Sequence, residues 1–446
     1  MIENLSRSKI LLLASALVLS MGSLGWVFPR EVSTIAGSWS LPTLSLSSLL
    51  LALVLAAEWR WLRGMLVVLA VTLILGWNRS SATSTSHFLG ACLGLMVMLA
   101  TARAANTPGR LRLALLTFLS GGTVVLLLGL AAVSVRTGRL SDSILPVKLP
   151  TIQLGLVGLE GGNVNVNALA AAVLLIAPIG VAVLVFRPDK KSDRVVLLPI
   201  GVFVVIISIG TLAVCQSRSA SVVIWLIPIG LLMKGIKTGS RRLAAGVIVL
   251  APLAVAMGIV PFLSRGEFQN EADNLWKSAH YRVEVMAQGL GLWRESPWFG
   301  VGLNEFRSLY LAQGQDIAHS HNIVLQTALD VGLVGSAAYW SVLAFLWLRA
   351  SEASRGVSRL SRSASVGSGL SLVAVTLFGI SDAVPLGSKV GMLQWIASGL
   401  ILAAWRTRAG PILNSHTAIV KGLAVSTLRE SEQGGALFSD HALPRR

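Results

Sequence analysis

Long apolar runs recur along the whole chain, separated by short polar connections that are mostly basic. Most runs have about the 17–25 residues that an α-helix needs to cross the hydrocarbon core of a bilayer. The candidate spans are 10–28, 41–57, 62–77, 86–102, 112–134, 166–186, 195–214, 219–233, 243–263, 323–348, 366–383 and 388–405. The pattern predicts an all-α polytopic membrane protein with about 12 transmembrane helices in a single domain over residues 1–405.

Some of these runs admit a second interpretation. The first, residues 10–28, follows Arg7 and Lys9 and has the form of a signal peptide, but the many spans behind it favour an uncleaved helix. The runs 62–77 and 219–233 are short enough to be tilted or partly re-entrant.

The composition agrees with a membrane protein and limits the kinds of binding partner to consider. Hydrophobic residues make up 54% of the chain and charged residues 13%. Cys92 and Cys215 lie in or beside apolar runs and provide neither a disulfide framework nor metal-ligand spacing. A formal net charge of +17 is also typical of proteins that bind nucleic acid. The distribution of the charge along the chain decides between a nucleic-acid partner and a membrane topology signal.

Basic residues are concentrated in alternate connections. With a cytoplasmic N-terminus, every short inner segment is basic, and the inner segments with the tail hold about two thirds of the 37 Lys and Arg. The charge is therefore a topology signal facing anionic membrane lipids, and we expect no nucleic-acid partner. Both termini are predicted to be cytoplasmic, and the mixed polar tail 406–446 is predicted to be disordered.

Two connections on the predicted outer side are long, about 135–163 and 264–322. The second contains eight aromatic residues, which suggests a folded segment or one that skims the membrane. Asp273 to Trp293 is predicted to be an amphipathic helix stopped by Ser296-Pro297. A tight glycine-bearing turn, PWFGVG, then precedes a short helix from Asn304 to Gln313. The tenth span thus follows a long, partly helical outer loop.

Two histidines and an asparagine lie where this loop meets the tenth span: His319, His321 and Asn322. A neutral imidazole near pH 7 is a plausible general base for a sugar hydroxyl. The alternative is a capping or packing role, and Asn322 has the residue type of a helix N-cap. Two histidines without an accompanying carboxylate cluster or cysteine argue against a metal site.

The span itself carries polar and small residues. Asn322, Gln326 and Asp330 recur every four residues and therefore share one stripe of the helix. Gly332 and Gly335 follow, and small residues of this kind are expected to let another helix approach closely.

Arginines accompany the imidazoles on the predicted outer side. Arg218 lies between two spans, and Arg282 lies on the predicted loop helix. Arg294 follows three turns later, with Arg307 beyond it. A guanidinium binds diphosphate oxygens in a bidentate manner. The alternatives are an Arg218 side chain that reaches back to the interface and a solvated helix face for the others.

The segment EGGNVNVNALA opens the sixth span. Asn163, Asn165 and Asn167 alternate there, and they are candidates either for helix capping or for binding sugar hydroxyls. No nucleotide-binding loop or serine-nucleophile elbow is present, and neither is a paired acidic motif of the kind that holds a metal with a nucleotide sugar. A donor activated as a lipid diphosphate can react without such a motif, so we expect no cofactor.

These motifs together resemble the O-antigen ligase and O-antigen polymerase-like membrane proteins. The C-terminal signature of that family is His-Asn, nine residues, then GxxG, and it is similar to His321-Asn322 followed by Gly332 and Gly335. Arg282, Pro297 and the Gly300-Val-Gly302 turn are similar to upstream features of the family. The SRSA segment at Arg218 and the NVNVNALA segment are also similar to features of the family. The resemblance spans about residues 161–335. Two departures concern subfamily assignment: Asp330 stands where Glu is frequent, and Ile-Val follows Asn322 where an aromatic is common.

The resemblance implies a metal-independent glycosyltransferase in the bacterial inner membrane, with its site facing the outside. The donor would be an undecaprenyl-diphosphate-linked oligosaccharide and the acceptor a glycan or lipid hydroxyl, with membrane lipids and other polysaccharide-assembly proteins as partners. His321, Arg282 and Arg218 would be catalytic. The expected substrate-binding residues are Asn322, His319, Arg294, Asn165 and Asn167.

Two other classes of function stay open. A transporter or flippase of lipid-linked glycans needs a polar pathway across the midplane, and apart from Asp330 and Asp382 few ionisable residues fall inside the predicted spans. A structural membrane scaffold is the other alternative, and the clustering of Arg and His on one side argues against it.

Overall fold

A computed structural model describes residues 59–78, 84–132, 165–215, 217–224, 268–312, 314, 317, 319–356 and 358–408. Within these ranges all regular elements are α-helices. They are α1 Arg60–Asn78, α2 Ser84–Ala104, α3 Pro108–Ala132, α4 Val166–Phe186, α5 Lys191–Cys215, α6 Arg218–Val223, α7 Phe268–Glu295, α8 Glu305–Ala312, α9 Ile323–Ala353, α10 Arg359–Phe378 and α11, residues 389–408.

Six of these helices are long and apolar enough to cross a membrane: α1, α2, α3, α4, α5 and α9. They coincide with the runs predicted to begin at residues 62, 86, 112, 166, 195 and 323. The protein is thus a helical membrane protein. The predicted spans 10–28, 41–57 and 243–263 lie outside the described residues, as do the loop 135–163 and the tail from residue 409. The total of about 12 spans therefore stays a prediction.

The predicted span 366–383 falls largely on α10, but its end was placed wrongly. Helix α10 begins earlier and ends at Phe378, and residues 379–388 form turns before α11 begins at residue 389. Gly379 and Pro385 interrupt this apolar run, because both residue types favour helix ends. The correction moves Asp382 out of a predicted span and into a turn.

The largest core surrounds α4, whose apolar sequence is buried on nearly every face. Helix α10 packs closely on it, since a Cβ at Gly367 would lie 2.6 Å from the Cα of Ile179. The Ser371 hydroxyl donates a hydrogen bond of 2.7 Å to the Leu175 carbonyl. Small and hydroxyl residues thus hold these two helices together, as is usual between membrane helices.

The long loop before α9 contains the two helices predicted for it, and the predicted stop at Ser296-Pro297 is confirmed. Between them lies the docking turn, residues 296–304, in which Gly300 and Gly302 have φ values of 72° and 127°. Those values lie in the region that only glycine adopts readily.

The docking turn inserts into a break in α9. Gly332 has φ 69° and ψ −175°, so it interrupts the helix and frees main-chain groups on both sides. The amides of Leu333 and Val334 donate to the carbonyls of Pro297 and Trp298, at 2.9 and 3.3 Å. The Leu329 carbonyl in turn accepts from two amides of the docking turn, at 2.8 and 3.3 Å. Buried main-chain groups freed by the break are thereby satisfied.

The glycines of the GxxG signature therefore have different roles. A Cβ at Gly332 would overlap the main chain of Trp298 and Phe299, so this glycine admits the docking turn. The prediction that a neighbouring helix approaches at Gly332 is therefore wrong. A Cβ at Gly335 would lie 2.6 Å from the Thr72 hydroxyl of α1, so the predicted helix approach is confirmed at that position.

Candidate active site at the start of the broken helix

Three polar side chains meet at the N-terminal end of α9 and form the His–Asp cluster: His319, His321 and Asp382. The Nε2 atom of His319 and the Nδ1 atom of His321 each lie 3.3 Å from Oδ1 of Asp382. Asp382 is 2% exposed, whereas the His321 side chain is 20% exposed. The cluster is thus a buried carboxylate with a histidine that remains accessible.

The backbone between the histidines is held in a tight conformation. His321 has φ 56°, which is uncommon for a residue with a Cβ. The buried Ser320 amide donates to Oε1 of Gln326 at 2.8 Å, and the Ser320 hydroxyl donates to the Asn322 carbonyl at 3.1 Å. The His321 amide donates to Nδ1 of His319 at 3.3 Å. These three bonds aim the two imidazole rings toward Asp382.

The hydrogen bonds define the tautomers of both histidines in their neutral forms. Because Nδ1 of His319 accepts the His321 amide, its ring proton is on Nε2, which faces Asp382. An ionised carboxylate only accepts, so Nδ1 of His321 carries the proton directed at Asp382. The lone pair of His321 is then on Nε2, which is available to a substrate hydroxyl.

His319 is electrically neutral around pH 7. Burial lowers the pKa of His319 to about 4; the charge of Asp382 opposes this change, while His321 and Arg282 add to it. Since that pKa is well below 7, the ring is an uncharged hydrogen-bonding group under ordinary conditions.

Asp382 is the member of the His–Asp cluster that the sequence reasoning did not place in the candidate site. It was assigned to the interior of a span, 61 positions from His321, and was considered only as part of a transport pathway. A usable signal was present: an acid in an apolar run is a functional-site candidate by default, and glycine and proline flank this one.

The turn after α10 also receives Arg282. The Nη1 atom of Arg282 donates to the Ser381 carbonyl at 3.0 Å, directly beside Asp382. The structure thus brings one predicted catalytic arginine to the edge of the His–Asp cluster. Arg218 begins α6, which packs against α4 and α10. Arg294 is exposed near the end of α7, and no contact between it and the cluster occurs within the described ranges.

The predicted capping roles of two asparagines are confirmed. Oδ1 of Asn322 accepts from the amides of Val324 and Leu325, both at 3.0 Å. Its Nδ2 donates to the Ile380 carbonyl at 3.1 Å, which ties the start of α9 to the turn bearing Asp382. Asn165 caps α4 in the same way, and Asn167 is half-buried in the first turn of that helix. Asn163 lies outside the described residues.

The predicted polar stripe of α9 is a hydrogen-bonded chain. Nε2 of Gln326 donates to Oδ1 of Asp330 at 2.9 Å, and the Asn304 amide of the docking turn donates to the same oxygen at 3.2 Å. Gln326 also accepts the Ser320 amide. The docking turn and the histidine segment are therefore connected through two buried side chains.

The His–Asp cluster also has the composition of a metal site, since its ligand atoms lie within 4.8 Å of one another. A metal-bound imidazole normally donates its other ring N–H to an acceptor. The other ring nitrogen of His319 faces a donor, the His321 amide. This bond favours a hydrogen-bonded cluster over metal ligation, and metal independence remains a prediction.

Comparison with known proteins gives a match to a family model over part of the chain. Residues 203–340 match the family model described as O-antigen ligase. The matched segment contains α6, both loop helices, the docking turn and the two histidines, and it ends before Asp382. No curated protein matches the chain. The resemblance inferred from the motifs is thus supported over about a third of the chain, and the protein is similar to the O-antigen ligase family in that segment.

Proposed function

From the match to the O-antigen ligase family, we propose that this protein transfers a glycan from an undecaprenyl-diphosphate-linked donor to an acceptor hydroxyl. The basic connections support a cytoplasmic N-terminus, so the reaction would take place on the outer face of the bacterial inner membrane. The donor class rests on the family resemblance and on the absence from the sequence of motifs for a nucleotide sugar.

The observation that carries the proposal is the contact between His321 and Asp382. The Asp382 carboxylate accepts a hydrogen bond from the Nδ1–H group of His321. The unprotonated Nε2 atom of this accessible ring is therefore the base. As the ring gains a second proton, the nearby negative charge stabilises the imidazolium. An acid–base partner of this kind contributes about 10²–10⁴-fold to turnover.

The bond changes follow from this assignment. The acceptor hydroxyl gives its proton to Nε2 of His321, and its oxygen forms a bond with the anomeric carbon of the donor sugar. The bond between that carbon and the diphosphate oxygen breaks, and the electron pair leaves with the lipid diphosphate. No redox change or third reactant is needed.

Arg282 is assigned to the departing diphosphate. One of its N–H groups is used by the Ser381 carbonyl, which leaves the other donors of the guanidinium for phosphate oxygens beside the cluster. Positioned cations stabilise charge that develops on a leaving group. Arg218, at the start of α6, is assigned the same role on the strength of the family motif, and the long loop would cover the site and hold the acceptor.

The transporter alternative receives less support. Asp382, one of the two acids placed inside spans, lies in a turn at the end of α10. The other, Asp330, accepts hydrogen bonds from Gln326 and from the docking turn, which is a connecting role.

A reconstitution tests the proposal. Purified wild-type protein and the His321→Ala variant are each incubated with a lipid-diphosphate oligosaccharide, with and without a lipid acceptor, and the products are separated on a gel. A ladder formed from the donor alone indicates a polymerase, and a product formed only with the lipid acceptor indicates a ligase. We expect the variant to lose about 10²–10⁴-fold in turnover.

His280→Ala is the matched control, because His280 is an exposed histidine on α7 outside the cluster. Its activity should equal that of the wild type. Full activity of the His321→Ala variant would refute the base assignment. Movement of fluorescent donor between leaflets without any product would refute the transferase in favour of a transporter.

A further inference from the structure

The role of His319 follows from the use of both of its ring nitrogens inside the protein. Nδ1 accepts the His321 amide, and Nε2 faces Oδ1 of Asp382 at 3.3 Å. The side chain is 12% exposed. A neutral imidazole has one donor and one acceptor, so His319 has no hydrogen-bonding capacity left for a sugar hydroxyl.

His319 contacts both parts of the proposed proton acceptor. It binds the main chain of His321, whose φ of 56° is costly for a residue with a Cβ. It also binds the oxygen of Asp382 to which His321 is hydrogen-bonded. One ring therefore fixes the backbone that aims His321 and the carboxylate that selects its tautomer.

We propose that His319 is a positioning residue for His321 rather than a substrate-binding residue, an inference that rests on the proposed function. It keeps His321 in the tautomer with the proton on Nδ1 and the lone pair on Nε2. Its loss leaves the acceptor site intact and misplaces the base.

The two contacts of His319 can be separated by substitution. The Oδ1 atom of Asn occupies about the position of Nδ1 and can accept the His321 amide. The Nε2 atom of Gln occupies about the position of the histidine Nε2 and can donate to Asp382. We therefore compare His319→Asn, His319→Gln and His319→Ala, with His280→Ala as the control.

Kinetics distinguish positioning from binding. The Ala variant should lose about 10–100-fold in kcat, the loss expected when one buried hydrogen-bonding group is left unpaired. Its KM for the acceptor should not change. The Asn and Gln variants should each recover part of the loss. A raised KM with unchanged kcat would overturn the proposal in favour of substrate binding.

A double variant provides the second kinetic test. If His319 acts through His321, adding His319→Ala to His321→Ala should cause no further loss, because effects within one unit are not additive. A full additional loss in the double variant would overturn the proposal.

A spectroscopic readout keeps this inference separate from the glycosyltransferase assignment. The ¹⁵N shifts of labelled imidazoles report the tautomer of His321, whose signals are identified by their absence in His321→Ala. We expect the Nδ1–H form in the wild type and a mixture of tautomers in His319→Ala. An unchanged tautomer in His319→Ala would refute the positioning role even if the transferase is active. The expected change in an inactive protein would refute the proposed function alone.

Discussion

Two helix starts in this protein have the same local chemistry and different surroundings. Asn165 caps α4 and Asn322 caps α9, and in both cases the side-chain oxygen accepts the amides two and three residues on. Among the contacts that the described residues make, the capping residue also binds another element only at α9, through the Ile380 carbonyl. The same turn supplies Asp382 to the histidines and the Ser381 carbonyl to Arg282.

The comparison shows that an N-cap by itself is a stabilising device and not a site. The chemistry at α9 comes from a distant turn that brings a buried carboxylate to two imidazoles. If this interpretation is correct, removing the Asp382 carboxylate should abolish the proposed catalysis at the start of α9. The helix and its cap should remain, as at the start of α4.

The largest expected effect is that of Asp382→Asn. An amide in place of the carboxylate can donate to Nδ1 of His321, which favours the wrong tautomer and removes the charge that stabilises the imidazolium. We expect turnover to fall about 10³-fold, equivalent to about 4 kcal/mol, with thermal unfolding in detergent little changed. Turnover within a factor of a few of the wild type would show that the two helix starts differ for another reason.

The break in α9 should be the next most sensitive feature. In Gly332→Ala, the added Cβ meets the main chain of the docking turn and the residue must keep a φ of 69°. We expect a loss of about 2–4 kcal/mol in unfolding free energy and reduced expression. Gly64→Ala is the matched control, because a Cβ there meets nothing within 4 Å. Equal stability of the two variants would contradict the docking of the turn.

Substitutions of Arg282 test whether the candidate site at the start of α9 requires a planar cation. Lysine keeps the charge and loses the guanidinium fork, which binds the Ser381 carbonyl and which we propose binds phosphate oxygens at the same time. We expect Arg282→Lys to lose about 10–100-fold in turnover and Arg282→Ala to lose more. Lys277→Ala, an exposed change on the same helix, should have no effect. Wild-type turnover in Arg282→Ala would remove this residue from the site.

The smallest effects compare the two caps directly. Asn165→Ala and Asn322→Ala should each lower the unfolding free energy by about 1 kcal/mol, with a slightly greater loss for Asn322 because it also binds Ile380. Per folded molecule, turnover should fall in Asn322→Ala and stay near the wild-type value in Asn165→Ala. A loss of turnover in Asn165→Ala at unchanged stability would instead support a role in binding sugar hydroxyls.

Local patterns predicted most of the described helices because their causes are local. The lengths of the apolar runs located the six membrane helices, since a span must satisfy its backbone within itself and cover a fixed thickness. The spacing of Asn322, Gln326 and Asp330 correctly predicted one stripe, because a helix turns every 3.6 residues. Ser296-Pro297 correctly ended α7.

What the sequence by itself determined about this protein is therefore its helical membrane character, the presence of its two loop helices with the stop at Ser296-Pro297, and the residue types at the start of α9. Only the tertiary structure decided that Gly332 breaks the helix to admit the docking turn, and that Asp382 contacts both histidines. The physical reason is the separation along the sequence of the residues that interact. Helix formation and capping depend on neighbours within about one turn, whereas the His321–Asp382 contact joins residues 61 positions apart. Hydrophobicity alone assigned that aspartate to a span, and the packing of α10 against the start of α9 placed it in the candidate site.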